Sequence, residues 1–274
     1  MKLLQLTDIH LTTPGTTIGG RDPNANFEKA LTHALTHHSD AEALFITGDL
    51  SDWGDASDYA RLRKVISTIP IPVHLCIGNH DDRATLLAAF PELVDENGFV
   101  QQVIPLSQGT AITLDTWGPN THAGHFCETR ARWLDAQLTT LEGPIWLFMH
   151  HNPVPLGIGP IDQIMQLDAA RLSDVIQPHA AKIRHIFHGH CHLPLSGSFC
   201  GVPLSAPRGT NHAGWPNFGA IKKLSAADLT ESYAVMLTHG DHVIVHMVEF
   251  GYAGEIRSEG SPDYENWDRL TMIR

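Results

Sequence analysis

Five short polar blocks hold the residue types that could do chemistry together: Asp8-Ile9-His10, Gly48-Asp49, Gly78-Asn79-His80-Asp81, His150-His151 and Gly189-His190-Cys191-His192. Carboxylate, amide and imidazole donors gathered at one place would hold a divalent ion such as Mn, Fe, Co or Zn. Without a thiolate motif the set does not suit copper(I) or an iron–sulfur cluster. Taken singly, each block also has an ordinary reading. Asp-x-His can be a polar turn, Gly-Asp a common strand exit, Gly-Asn a left-handed turn, and His150-His151 a pair of core or rim imidazoles. The fifth block is more specific, because His190 and His192 leave an extended segment on the same side. No Ser or Cys stands in a nucleophile motif.

The elements that must position these blocks are visible as apolar runs of strand length: Leu3–Thr7, Ala43–Thr47, Val73–Ile77, Ala111–Asp115, Ile145–Met149 and Ile183–Phe187. Four of the five blocks directly follow one of them and the fifth follows after His188, where ligand sites lie in open α/β sheets. Between the runs come stripes of helical spacing: Phe27, Ala30, Leu31, Ala34 and Leu35; Tyr59, Leu62, Val65 and Ile66; Ala131, Leu134, Leu138 and Leu141. Strands alternating with helices predict a layered α/β fold with buried sheets. The C-terminal part is strand-rich, with Tyr233–Thr238 and His242–Phe250 joined by a Gly240-Asp241 hairpin turn. The domain expected is residues 1–250, followed by a polar tail, 251–274, that packs on the body or on a partner subunit.

Composition narrows the function classes. A net charge of −12 over 274 residues, with no cluster of Lys and Arg, excludes a general nucleic-acid surface. No apolar run approaches a bilayer span, so no stable membrane insertion is expected. The short segment after Met1 is not a signal peptide, which predicts a cytoplasmic protein. The four cysteines form no CxxC pair. Cys191 and Cys200 could meet across a hairpin, but reduced thiols are the expected state. The 19 histidines are the unusual number, and some of them, such as His33, His37 and His38, lie on one helix and carry no pattern.

In this order the five blocks resemble the calcineurin-like metallophosphoesterases, over residues 8 to 192. The resemblance implies a four-layer α/β/β/α sandwich of two mixed sheets flanked by helices, here with a small C-terminal strand-rich extension. It implies two divalent metal ions per chain, Mn or Fe ahead of Zn or Co. Carried over position by position, Asp8, His10, Asp49 and His192 would hold one ion. Asp49, Asn79, His150 and His190 would hold the other, with Asp49 bridging. His80 would contact the phosphoryl group or protonate the leaving oxygen, oriented by Asp81 or Asp82 unless these form a solvated acidic turn. His150 is taken as the ligand because it ends the apolar strand, and His151 as its neighbour outside the ligand set.

Three further passages resemble the bacterial class III cyclic-nucleotide and glycerophosphodiester phosphodiesterases. They are Leu114-Asp115-Thr116 with the later Arg132-Trp133-Leu134-Asp135, Phe148-Met149-His150-His151-Asn152-Pro153, and Pro207-Arg208-Gly209-Thr210-Asn211-His212. Asn152 stands where proline is usual, and the tail lacks the expected oligomer-forming pattern, which leaves a homo-oligomer open. By this match His212 would contact the substrate or support the metal ligands from behind, unless it is a loop histidine without a role. The function implied is hydrolysis of small phosphodiesters by metal-bound hydroxide. A phosphomonoesterase, a nucleotide pyrophosphatase and a phospholipid head-group diesterase stay open, and a non-catalytic scaffold is the least favoured reading. Trp117, Trp215 and Phe218 are aromatics on which a purine could stack, or which could equally pack the rim.

Overall fold

The computed structural model describes residues 1–219, 223–240 and 242–256. The first apolar run forms β1 (Lys2–Leu6), which lies parallel to β2 (Ala43–Thr47), itself parallel to β3 (Val73–Cys76). Parallel neighbours need crossovers, and helices supply them. These are α1 (Pro23–His37) and α2 (Ala56–Ile66), followed after β3 by α3 (Arg83–Ala89). The start of α1 is set by Asp22, whose carboxylate accepts from the amides of Asn24 and Ala25, and by Pro23 in the first turn.

The second sheet repeats this logic. Its strands are β4 (Gln102–Leu106), β5 (Gly109–Thr113), β6 (Ile145–Phe148), β7 (Ile183–Phe187), β8 (Leu195–Phe199) and β9 (Val202–Ala206), in the order β4-β5-β6-β7-β9-β8. The central pairs β5–β6, β6–β7 and β7–β9 are parallel, and both edge pairs are antiparallel. The connections carry α4 (Glu128–Thr140), the short α5 (Gly159–Asp162) and α6 (Ala169–Ile176). Two-residue strands β10 (Ala213–Gly214) and β11 (Ala226–Ala227) pair with each other beyond the second sheet.

The C-terminal strand-rich segment is the hairpin β12 (Ser232–His239) and β13 (His242–Glu249). It is built into the first sheet, since β12 runs antiparallel to β1 in the order β13-β12-β1-β2-β3. Asp241 of the expected turn and residues 257–274 of the expected tail lie outside the described residues.

The two sheets face each other. In β2 all five residues are buried, as a strand covered on both faces requires. Leu44 and Ile46 join the helix-side core with Phe27, Leu31 and Leu62, while Ala43 and Phe45 point between the sheets. There the Phe45 and Phe148 rings stack at 3.8 Å, and Phe187 continues the stack at 4.7 Å from Phe148. A third core packs α4 and α6 on the second sheet through Leu134, Leu138, Leu172 and Ile176. The result is the four-layer α/β/β/α sandwich. It brings the C-terminal ends of β1, β2, β3, β6 and β7 to one edge. Among the described residues no helix is long and apolar enough to cross a membrane.

Candidate metal centre

The five polar blocks meet at this edge. One ligand atom each from Asp8, His10, Asp49 and His192 lies within 4.8 Å of the others, and so do those of His150, His151 and His190. Asp49 stands between the two groups. Its Oδ2 is 3.6 Å from His10 Nε2, and its Oδ1 is 3.3 Å from His150 Nε2. His192 Nε2 is 3.5 Å from Asp8 Oδ1, and Asn79 Oδ1 is 3.1 Å from His150 Nε2.

Three imidazoles share one hydrogen-bonding scheme. The Nδ1 of His10 lies 3.0 Å from Asp52 Oδ1, that of His150 2.8 Å from the Thr47 carbonyl, and that of His192 2.9 Å from the His212 carbonyl. An acceptor at Nδ1 places the ring proton there and leaves the Nε2 lone pair facing inward, the arrangement that metal-ligating histidines use. His190 Nε2 is buried without any partner. In a closed protein that is costly for a polar atom unless something such as an ion takes the lone pair. Donor chemistry, tautomers and this orphan atom fit a pair of divalent ions.

The backbone is bent to make the arrangement. Asp8, His10, Asp49, His190 and His192 are five of the seven non-glycine residues with positive φ among those described. Each such conformation costs on the order of 1–3 kcal/mol and persists only where the surrounding packing imposes it. Gly48 shows why glycine precedes Asp49. At φ +94° it also faces His150, where a Cβ would sit 2.5 Å from the ring Nδ1.

Electrostatics follow the packing. Burial pushes the Asp49 carboxyl up, but the imidazoles of His150, His80 and His10 outweigh it and hold the group well below its usual range. Burial, with the Asp49 charge beside it, raises Asp8. His190 is driven well below the usual imidazole value by burial and by His150, and His192 to about 3 by burial and by His10. Both are therefore held neutral, the ligating form. His150 goes the other way, to about 9: burial lowers it, but the Asp49 and Asp8 carboxylates overcome that. The same negative charge that holds a proton on Nε2 would hold a cation in its place.

The remaining expected residues divide. His80 lies at the cleft with its Nδ1 3.0 Å from the Asp52 carbonyl, and its amide donates to Asp49 Oδ1 at 2.9 Å. Asp81 does not orient it and is not solvated. That carboxylate is buried and accepts from the amides of Gly78 (2.8 Å), Leu50 (3.1 Å) and Ser51 (3.0 Å) and from the Tyr59 hydroxyl (2.9 Å). It ties the loop after β2 to the loop after β3, and burial with the nearby Asp49 charge raises it to about 6. Asp82 caps α3 through the Thr85 amide. His151 lies near the ligand cluster, yet both ring nitrogens are engaged, by Thr116 Oγ1 at 2.7 Å and by the His122 carbonyl at 3.2 Å. His212 packs its ring 4.1 Å from His192 and 5.0 Å from His10.

Two contributors were not expected. Asp52 holds His10 through its side chain and His80 through its carbonyl; its only sequence signal is a second carboxylate three residues after Asp49. His122 accepts at Nδ1 from the Asn79 amide nitrogen at 2.9 Å, which turns the Asn79 oxygen toward His150. Nothing in the pattern of residues 118–126 pointed to that role. Among the aromatics, Trp117 is used structurally: its indole donates to the Asp81 carbonyl at 2.7 Å and Arg83 stacks on its ring. Trp215 and Phe218 stay exposed. Cys191 and Cys200 are free thiols, with Cys200 Sγ 3.1 Å from Ser173 Oγ.

The cleft holds about 460 Å³ and is lined by the polar Asp49, Asn79, His80, His190, His192 and His212 and by the apolar Ile158, Ile161, Ile164 and Trp215. No Lys or Arg lines it among the described residues.

Residues 1–194 match the profile of the calcineurin-like phosphoesterases. A probable cyclic nucleotide phosphodiesterase of Rhodopseudomonas palustris is 32% identical over 264 residues, which is 94% of this chain and 96% of that protein. A probable glycerophosphodiester phosphodiesterase of Arcobacter nitrofigilis is 27% identical over 200 residues, 70% of this chain and 72% of that protein. In fold, a dimetal phosphatase from Danio rerio superposes with a TM-score of 0.66 at 14% identity, over 91% of this chain and 96% of the other.

Proposed function

The chain belongs to the calcineurin-like phosphoesterases, and from that premise we propose that it is a phosphodiesterase for small phosphodiesters of the cyclic-nucleotide or glycerophosphodiester kind. The carrying observation is Asp49, whose two carboxylate oxygens face two separate imidazole groups. That arrangement suits a carboxylate bridging two ions, with Asp8, His10 and His192 on one side and Asn79, His150 and His190 on the other. Mn or Fe are the metals favoured by the oxygen and imidazole donors. When bound, such a pair supplies Lewis acidity and an activated water at neutral pH.

The protein's own groups do the rest. Asp52, Thr47 and His212 hold three imidazoles in the ligating tautomer. His80, whose Nδ1 is fixed on the Asp52 carbonyl, offers Nε2 to a phosphoryl oxygen or to the leaving oxygen. His212 is kept neutral by burial and by His192 and His10, at about 2, so it acts beside the substrate as a hydrogen-bonding group and not as a cation. A phosphomonoester dianion would be favoured by a Lys or Arg beside the centre, and the cleft lining has neither among the described residues. A diester carries one charge and needs none. The relatives named for diester hydrolysis agree with this.

The test is a substrate panel on Mn-, Fe- and Zn-loaded protein. Turnover of bis(p-nitrophenyl) phosphate and of cyclic or glycerol diesters, exceeding that of p-nitrophenyl phosphate, is expected. Cleavage of the monoester alone would reject the diesterase reading in favour of a phosphomonoesterase.

A further inference from the structure

The apolar lining of the cleft does not end at the cleft. Ile158 and Trp215 also line a second, larger cavity of about 630 Å³ that runs on past them. Its other walls come from the turn Val154–Leu156, from Leu193 and β8 with Leu195 and Gly197, and from Pro216 and Phe218. Phe218 stands 72% exposed over the Gly157 turn, and Trp215 is half exposed where the two cavities join. Large aromatics left open around an apolar groove mark a place where another molecule packs. The one charged residue lining the groove among those described is Arg208. Its Nη1 is engaged by the Thr230 carbonyl and by Glu249, while its buried Nε has no hydrogen-bond partner among the described residues. The groove thus offers mainly apolar contact, with Ser196, Ser198 and Arg208 as its polar side chains.

We propose that this groove is the binding site for an apolar ester arm of the substrate, so that the preferred substrate is a monoanionic phosphodiester with an alkyl or aryl group reaching past Trp215. The proposal rests on the phosphodiesterase reading and deepens it. Continuity selects this occupant: a molecule whose phosphoryl group sits at Asp49 and His80 has Ile158 and Trp215 as its next neighbours. A glycerol or sugar arm of the same diester would stay within the polar cleft, because burying its hydroxyls unpaired among the apolar side chains beyond Trp215 is unfavourable. Each methylene removed from water there strengthens binding.

The experiment compares methyl and octyl p-nitrophenyl phosphate on the Mn-loaded full chain. The expected octyl-to-methyl ratio of kcat/KM is at least tenfold, and it should fall to near one in Gly197→Phe. Gly197 accepts a side chain without a backbone penalty, since an added Cβ meets nothing nearer than Leu204 Cδ1 at 3.6 Å. Phe218→Ala, at an exposed position, supplies a second variant and should lower the ratio severalfold. A ratio near one in the native chain, with the methyl ester turned over, overturns the groove and leaves the diesterase reading standing. A large ratio unchanged in both variants also overturns it. Failure to turn over either ester removes the diesterase reading, and this proposal with it.

Discussion

At the polar side of the site, Asp8, His10, Asp49, His190 and His192 sit in left-handed backbone at the ends of buried strands, with Asp8, His10 and His192 held by hydrogen bonds. At its apolar side, Ile158, Ile161, Ile164 and Trp215 stand on short elements with apolar side chains and no such scheme. The first side spends conformational strain to fix donors before any ligand arrives, which is how a site is preorganised. The second fixes little. On the proposed reading, chemistry and selectivity lie on different chain segments and can be changed separately.

The sharpest break in that contrast comes from His80. His80→Ala should keep the metal content while lowering turnover by roughly 10²–10⁴-fold if the ring serves as an acid. Metal analysis alongside kcat checks this, and an unchanged rate would make His80 a bystander. Next is Asp52, which touches no expected substrate position. Asp52→Asn should weaken Mn binding by about 10–100-fold through loss of the His10 orientation. Calorimetric titration reads this, and native affinity in the variant would deny Asp52 that role.

The smallest effect concerns an imidazole outside both sides of the site. His185 is pushed down to about 4 by burial and by the nearby His188, and its Nε2 meets Ser205 Oγ at 2.8 Å. The unfolded chain takes up this proton near pH 6.5, and the fold resists it until about 4. Stability from this group is thus complete above 6.5 and is lost as pH falls through that window, by about 1 kcal/mol at pH 5.5. His185→Gln should flatten the slope in urea unfolding of metal-free protein. An identical slope would show that burial is not what sets this histidine.

The contrast between the two sides also explains what could be read from the residues. Asp8, Asp49, Asn79, His150, His190 and His192 stood out because each follows an apolar run, and a parallel sheet must gather such strand ends. The core strands were equally legible, for β2 and β6 are buried on both faces and carry unbroken apolar runs. The edge strands β4 and β8 were not. They are partly exposed and carry Pro105 and Gly197, so neither alternation nor an apolar run marks them. Neither local reading of Asp81, as the partner of His80 or as a solvated turn, holds, because amides of Gly78, Leu50 and Ser51 and the Tyr59 hydroxyl enclose it. Asp52 and His122 act through contacts across 42 and 43 residues of chain, and no local spacing encodes that. The groove beyond Trp215 is assembled from the segments near 155, 195 and 217, none with a periodic signature.

The centre itself is tested most directly by counting Mn ions per chain in metal-saturated native protein and in Asp49→Ala, which lacks the carboxylate proposed to bridge them. Two ions in the native chain and fewer than two in the variant are expected. Two ions retained by Asp49→Ala would contradict the bridge.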